Sequence, residues 1–389
     1  MMRLTRLLRG VVGTPAPLVS PVSPVTPAAP VVIWNLLRRC NLSCSFCYSV
    51  STDADYPGEL ATLEILSGLD ELRRFGVSTL VLSGGEPLLH PDLFEIAGHA
   101  KAAGFFVSLS TNGTLIDEAV ATRIGVVGFD HVGISLDGLP ETHDRLRGRA
   151  GAFDCSLRGL RLCRDVGLKV GVRFTLTSDN HAELPALLLL AAREGADRFY
   201  LSHLNYAGRG GRNRKVDAWH VATRAAMDVL IETALADIAA GSSREIVTGN
   251  NDADAVYLLQ YVSRNCPSAA DGLERQLKRW GGNSSGVGIA NIDSQGRVHP
   301  DTMMAFVTLG SIRERRFGDI WNDVTGNPIL AALRQRPRPV TGRCAACRYL
   351  DICNGNTRTR AWRSVGDAWA EDPGCYLSDE EISSATAES

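Results

Sequence analysis

Two things are scarce in this chain of 389 residues: long apolar runs and surplus charge. The longest apolar stretch, Leu184 to Ala192, falls short of the about 20 residues a membrane-spanning helix needs, and Pro185 breaks its start. The chain is therefore not expected to cross a membrane. Lysine and arginine number 41 against 43 acidic residues, for a formal charge of −2. That leaves no globally basic surface to neutralise a phosphate backbone and sets nucleic acid aside as a partner. A secretory signal is absent too: prolines interrupt residues 14 to 30, as in Val19-Ser20-Pro21-Val22-Ser23-Pro24, and leave no continuous apolar stretch before a cleavage site. Residues 1–30 read as a basic, Pro-rich flexible leader of polyproline character on a cytoplasmic protein.

What the sequence does have is a core and cysteine. Hydrophobic residues make up 44% and charged residues 22%, the composition of an ordinary globular protein, and the length predicts more than one folding unit. Of ten cysteines, seven fall in two groups: Cys40, Cys44 and Cys47, then Cys344, Cys347 and Cys353 with Cys375 downstream. Clustering of this kind in a long chain with an ample core points to metal ligands rather than disulfide staples. Cys155, Cys163 and Cys266 stand alone, and the first two read as small core residues.

Strand-like runs alternate with amphipathic helical stretches from residue 31, which predicts an α/β fold of parallel βα units. The six strand candidates are Val31–Leu36, Thr79–Leu82, Phe105–Leu109, His131–Ser135, Val170–Thr177 and Arg198–His203. Wound right-handed, they form a partial (β/α)6 barrel over 31–215, with chemistry at the C-terminal strand ends. Polar residues do follow those ends: the Cys40 group, Ser83-Gly84-Gly85-Glu86, Ser110-Thr111-Asn112-Gly113, Ser135-Leu136-Asp137-Gly138 and His203-Leu204-Asn205. Residues 216–285 read as a helical connecting region with no further strand. A β-hairpin and the second cysteine group occupy 286–389.

The spacing Cys40-x3-Cys44-x2-Cys47 offers three thiolates to one inorganic centre, and three leave one iron of a cubane cluster open to another ligand. Gly84-Gly85-Glu86-Pro87 alone is equally a simple turn. Together with Tyr48 after the third cysteine, these motifs resemble the radical S-adenosylmethionine superfamily. The resemblance implies that Cys40, Cys44 and Cys47 hold a [4Fe-4S] cluster whose open iron binds S-adenosylmethionine. Reductive cleavage would then release a 5′-deoxyadenosyl radical that abstracts a substrate hydrogen. It further implies that Gly84, Gly85 and Glu86 meet the methionine amino end, with Ser135 and Arg147 near its carboxylate and ribose, and Asn112 and Asp137 as further contacts.

On spacing alone Cys344, Cys347, Cys353 and Cys375 suit a closed [4Fe-4S] cluster or a structural zinc site. Beside such a core they resemble the SPASM or twitch-like auxiliary-cluster extension, which implies a second [4Fe-4S] cluster. The full extension carries seven cysteines, and here Asp301 and Thr357 stand where two are expected. Further segments, among them Val32–Cys40, Leu201–Gly210, Thr248–Asp254 and Cys353–Arg358, resemble the NirJ-type family of heme d1 biosynthesis. That family implies an iron tetrapyrrole substrate, didecarboxysiroheme, whose propionate side chains are removed, and an electron donor such as flavodoxin or ferredoxin. Arg209, Arg212, Arg214 and Lys215 then form a candidate basic rim for carboxylates, which as a plain sequence feature is equally a solvated loop. His203 and His299 are candidates to face the substrate. The competing readings are a decarboxylase of iron-coproporphyrin, a peptide-modifying SPASM enzyme, and a non-catalytic iron–sulfur sensor.

Overall fold

All six expected strands form in the computed structural model, which describes residues 1–13 and 29–383. In chain order the strands are β1 (Met2–Arg3), β2 (Val31–Asn35), β3 (Thr79–Ser83), β4 (Phe106–Thr111), β5 (His131–Ser135), β6 (Val170–Leu176), β7 (Arg198–His203), β8 (Glu245–Gly249), β9 (Ile289–Ile292), β10 (Arg297–His299) and β11 (Gly310–Ser311). They build one sheet ordered β1-β8-β7-β6-β5-β4-β3-β2-β9-β10-β11, parallel from β8 through to β9.

Alternation along the strands explains the layering. On β6, Val172, Phe174 and Leu176 are at most 1% exposed, and Val132, Ile134, Phe199 and Leu201 of the neighbouring strands join them under the helices. The intervening positions, among them Ser135, Arg173, Thr175, Tyr200 and Ser202, share the opposite face in register and line the inside of the partial barrel. An apolar outer face and a polar inner face leave room for chemistry inside the curve.

Two expectations change. The region 216–285 is not wholly helical: Glu245-Ile246-Val247-Thr248-Gly249 is a seventh parallel barrel strand, β-branched and set off by Gly241-Ser242-Ser243, between the helices His220–Ala239 and Ala253–Asn265. The first thirteen residues are not a flexible arm either. Met2 pairs with Thr248 and Arg3 with Val247, antiparallel to β8. The helix Leu4–Val11 follows, with Leu4, Leu7 and Leu8 buried at i, i+3 and i+4. The basic residues lock this segment down: Arg3 pairs with Glu245, and Arg9 donates to the Ser242 carbonyl at 2.6 Å. Residues 14–28, the polyproline-like stretch, lie outside the described residues.

The hairpin β9–β10 continues the barrel sheet through β2, so the C-terminal module grows from the sheet edge. An asparagine network joins it to the other edge. Asn356 donates to Asn251 Oδ1 at 2.5 Å and accepts from the Asp252 amide at 2.7 Å, while Asn251 donates to the Gly374 carbonyl at 2.8 Å.

Candidate active site

The loop after β2 carries Cys40 and Cys44, each 7% exposed, and half-buried Cys47, in one apolar pocket with Leu42 and Ala152. Its shape is set by backbone bonds to distant segments: the Cys40 amide to the Thr52 carbonyl, and the Ser43 and Ser45 amides to the carbonyls of Arg147 and Leu146. The next strand end packs directly on it. The Gly85 amide donates to the Leu37 carbonyl at 2.7 Å and the Glu86 amide to the Arg39 carbonyl at 2.9 Å. A Cβ at Gly85 would fall 2.1 Å from the Arg39 oxygen, so this approach demands glycine.

Burial drives the Cys40 thiol up to about 12, and also raises Cys44 against the opposing pull of Arg147. Cys47 goes the other way: its burial is outweighed by the Ser49 hydroxyl at 3.2 Å and by nearby backbone amides, and its thiol is shifted down. Of the three thiols, that of Cys47 is therefore the most readily ionised.

Around this pocket the expected cofactor residues are brought together in definite roles. Arg147, at the end of the helix Pro140–Arg147, donates to Cys44 Sγ at 3.5 Å and pairs with buried Asp137, which also accepts from the Thr175 amide at 2.6 Å. Asn112 donates to Asn41 Oδ1 at 2.9 Å and points its amide at Cys40 Sγ, 3.9 Å away. The Glu86 carboxylate is fully buried and committed: it accepts from Thr111 Oγ1 at 2.6 Å and from the amides of Asn112 at 2.8 Å and Leu88 at 3.1 Å. Burial nevertheless lifts its carboxyl to about 7. Glu86 therefore braces two strand ends. Ser135 stands half-buried on the inner face at the end of β5.

In the C-terminal module Cys344, Cys347, Cys353 and Cys375 line a single cavity with Arg343 and Asn356. Arg343 donates to Cys375 Sγ at 3.3 Å and the Tyr349 amide to Cys347 Sγ at 3.4 Å. The positions where further cysteines are expected have protein partners instead. Asp301 accepts from Ser285 and, at 2.7 and 2.8 Å, from the amides of Met303 and Met304; Thr357 is buried and accepts from Asn205 at 3.3 Å.

The substrate candidates divide. Arg209 turns inward: Nε donates to the Cys44 carbonyl at 2.6 Å and Nη1 to the Ser51 carbonyl at 2.9 Å. Gly208 beforehand has φ 56° and lies so close to the Cys47 and Tyr48 carbonyls that a Cβ would fall within 2.4 Å of either. His299 is a hairpin core residue, with Nδ1 2.7 Å from the Val307 carbonyl and Nε2 3.3 Å from Asp293. Both are held by protein partners in this structure. Arg212 is exposed. His203 and Lys215 line an open cleft of about 440 Å³ between the β7 end and the C-terminal module, together with His220 and exposed Trp219. His203 Nε2 also meets Asp254 at 2.9 Å, and Asp254 accepts from Tyr376 Oη at 2.8 Å. The sequence reading missed Asp254 and Tyr376, although Tyr376 follows a cluster cysteine and Asp254 lies in a segment already marked as unusual.

Residues 34–191 match the family model described as the Radical SAM superfamily. Pre-heme d1 synthase of Dinoroseobacter shibae is 53% identical over 360 residues, covering 92% of this chain and 88% of that protein. Fe-coproporphyrin III synthase of Methanosarcina barkeri is 41% identical, covering 91% and 89%. Among solved structures, Streptococcus suis SuiB bound to S-adenosylmethionine superposes with a TM-score of 0.67 at 16% identity, covering 90% of this chain and 78% of that one. At that identity the likeness is one of fold.

Proposed function

Because the chain belongs to the radical S-adenosylmethionine superfamily, within the family of pre-heme d1 synthase, we propose that it removes propionate side chains from didecarboxysiroheme, an iron tetrapyrrole, on the way to heme d1. The family implies a [4Fe-4S] cluster and S-adenosylmethionine, and the first cysteine pocket suits them: three thiols, two polar donors aimed at sulfur, and an adjoining polar barrel interior. Bound there, the pair would supply a 5′-deoxyadenosyl radical able to take hydrogen from an unactivated propionate C–H bond.

The protein's own residues position and shield. Leu42 and Ala152 keep water from the thiolates, and Arg209 fixes the loop through two carbonyls. Arg147, held by Asp137, sets a permanent positive charge beside Cys44, where it would offset the charge of a thiolate-bound cluster. Glu86 and Asn112 brace the two strand ends against the loop.

Cys344, Cys347, Cys353 and Cys375 hold an auxiliary [4Fe-4S] cluster in this reading, supported by their sharing one cavity. Bound there, such a cluster would supply an acceptor for the electron left on the substrate, and a flavodoxin or ferredoxin in the cytoplasm would be the reductant for the centre held by Cys40, Cys44 and Cys47. The observation that carries the proposal is that the 53% identity covers 92% of the chain.

The test is anaerobic reconstitution followed by an assay for 5′-deoxyadenosine and tetrapyrrole product. Formation that depends on didecarboxysiroheme, with loss of propionate carbon, is the expected result. Turnover of iron-coproporphyrin instead would favour the decarboxylase reading. Failure with both tetrapyrroles would overturn the assignment.

A further inference from the structure

Two arginines lie on the inner face of the barrel strands, and their surroundings differ. Arg198 on β7 has Glu245 3.7 Å away. Arg173 on β6 stands level with Ser135 on β5 and Tyr200 on β7. Its guanidinium lies over the Tyr200 ring, 5.3 Å from the centroid, and among the described residues no carboxylate or carbonyl bonds to it. Asp137 feels its charge but is already held by Arg147 and the Thr175 amide. Gly133 opens the path for its stem, since a Cβ there would come within 3.0 Å of Arg173 Cδ. Arg198, Arg173 and Lys169 reinforce burial in keeping the neighbouring His131 neutral.

A half-buried guanidinium resting on an aromatic face keeps its forked edge free, and that edge matches a carboxylate with two parallel hydrogen bonds. Arg173 is the middle residue of β6 and stands level with Ser135, the last residue of β5, so its long side chain starts inside the barrel just below the rim where ligands of this architecture bind. We propose that Arg173 anchors a carboxylate side chain of the substrate inside the barrel. This deepens the tetrapyrrole reading above and rests on it; in that reading the carboxylate of S-adenosylmethionine belongs to Ser135 and Arg147.

The test uses reconstituted holoenzyme and two probes, iron coproporphyrin III and its tetramethyl ester, with binding followed through the Soret band and S-adenosylmethionine binding by calorimetry. Arg173→Met is expected to weaken binding of the free acid about ten- to a hundredfold, the range for losing a forked ion pair, and to leave the ester's affinity unchanged. Arg173→Lys, retaining charge without the fork, falls between. Unchanged iron content and S-adenosylmethionine affinity show that the barrel is intact. Equal affinity of Arg173→Met and the unsubstituted enzyme for the free acid overturns the inference while the tetrapyrrole reading stands. Loss confined to S-adenosylmethionine overturns it by assigning Arg173 to the cofactor. If the unsubstituted enzyme binds neither porphyrin, the tetrapyrrole reading falls and the inference with it.

Discussion

The Arg209 guanidinium donates to the carbonyl of Cys44 across 2.6 Å. With its second bond to Ser51 it spans the cysteine loop, and Asn213 adds a bond to the Ser45 carbonyl at 2.6 Å. Arg209→Ala is therefore expected to damage the first cluster rather than tetrapyrrole affinity alone. It orphans two carbonyls, each worth about 1–3 kcal/mol if left without a partner. The measurement is iron per chain after desalting: a fall from about eight to about four, with S-adenosylmethionine binding lost in parallel. Full iron with selectively weakened porphyrin binding would return Arg209 to the substrate.

The four C-terminal cysteines predict a separable result. Cys375→Ala opens one corner of their cavity and removes the sulfur that Arg343 faces at 3.3 Å. Iron is expected to fall by up to about four per chain, while 5′-deoxyadenosine formation without substrate persists, because the first pocket has its own ligands. About four irons and one zinc in the unsubstituted protein would instead identify a structural zinc site.

Much of this arrangement was legible because its chemistry and its periodicity coincide. Alternating strands such as Val170–Leu176 and the fixed spacing from Cys40 to Cys47 are local signals, and both formed as expected. What the sequence could not show was long-range. Nothing near Arg209 says that its partners are the carbonyls of Cys44 and Ser51, 165 and 158 residues away, because a carbonyl leaves no trace in side-chain sequence. The same holds for His299, whose partner is the Val307 carbonyl. The strand Glu245–Gly249 was hidden by its shortness between two long helices, and the opening residues looked like a free basic arm because Glu245, the partner of Arg3, lies at the far end of the barrel.

Acid should destabilise the protein through two buried histidines. Burial holds His131 and His143 at about 3, well below their ordinary 6.5; Arg198 reinforces this for His131 and Arg147 for His143. The His143 ring accepts at Nδ1 from the Asp137 amide at 3.0 Å, which requires the neutral form. The unfolded chain binds these protons below pH 6.5 and the folded chain does not, so stability falls as pH drops from 6.5 toward 3, by about 1.4 kcal/mol per pH unit per histidine. Glu86, raised to about 7, works in the opposite direction between its ordinary 4.5 and 7. Across pH 5 to 6.5 these three groups together leave one histidine's worth of slope, about 1.4 kcal/mol per unit. Thermal unfolding at pH 5.5 and 7.0 checks it: His131→Asn should flatten the dependence, and Glu86→Gln should steepen it. An unchanged slope in His131→Asn would show that this histidine is not buried neutral.

Asp254 couples the barrel to the C-terminal cysteines. One carboxylate oxygen meets His203 at the β7 end and the other accepts from Tyr376, the residue after Cys375, while the His203 and Tyr376 rings stack 6.3 Å apart. Asp254 is fully buried, and where His203 carries its proton on Nε2 an isosteric Asp254→Asn presents an NH2 group to one of two donors. The cost is expected at about 1–3 kcal/mol, the range for one orphaned buried partner. Tyr376→Phe removes the same bond from the other side, so the two costs should not add: the double variant should be more stable than their sum predicts by about 1 kcal/mol or more. Because Tyr376 is tied to Cys375 through the chain, both variants should also release iron from the second cavity sooner than from the first on exposure to chelator. Strict additivity, or equal release from both sites, would mean that Asp254 supports the core alone and carries no link to the auxiliary cluster.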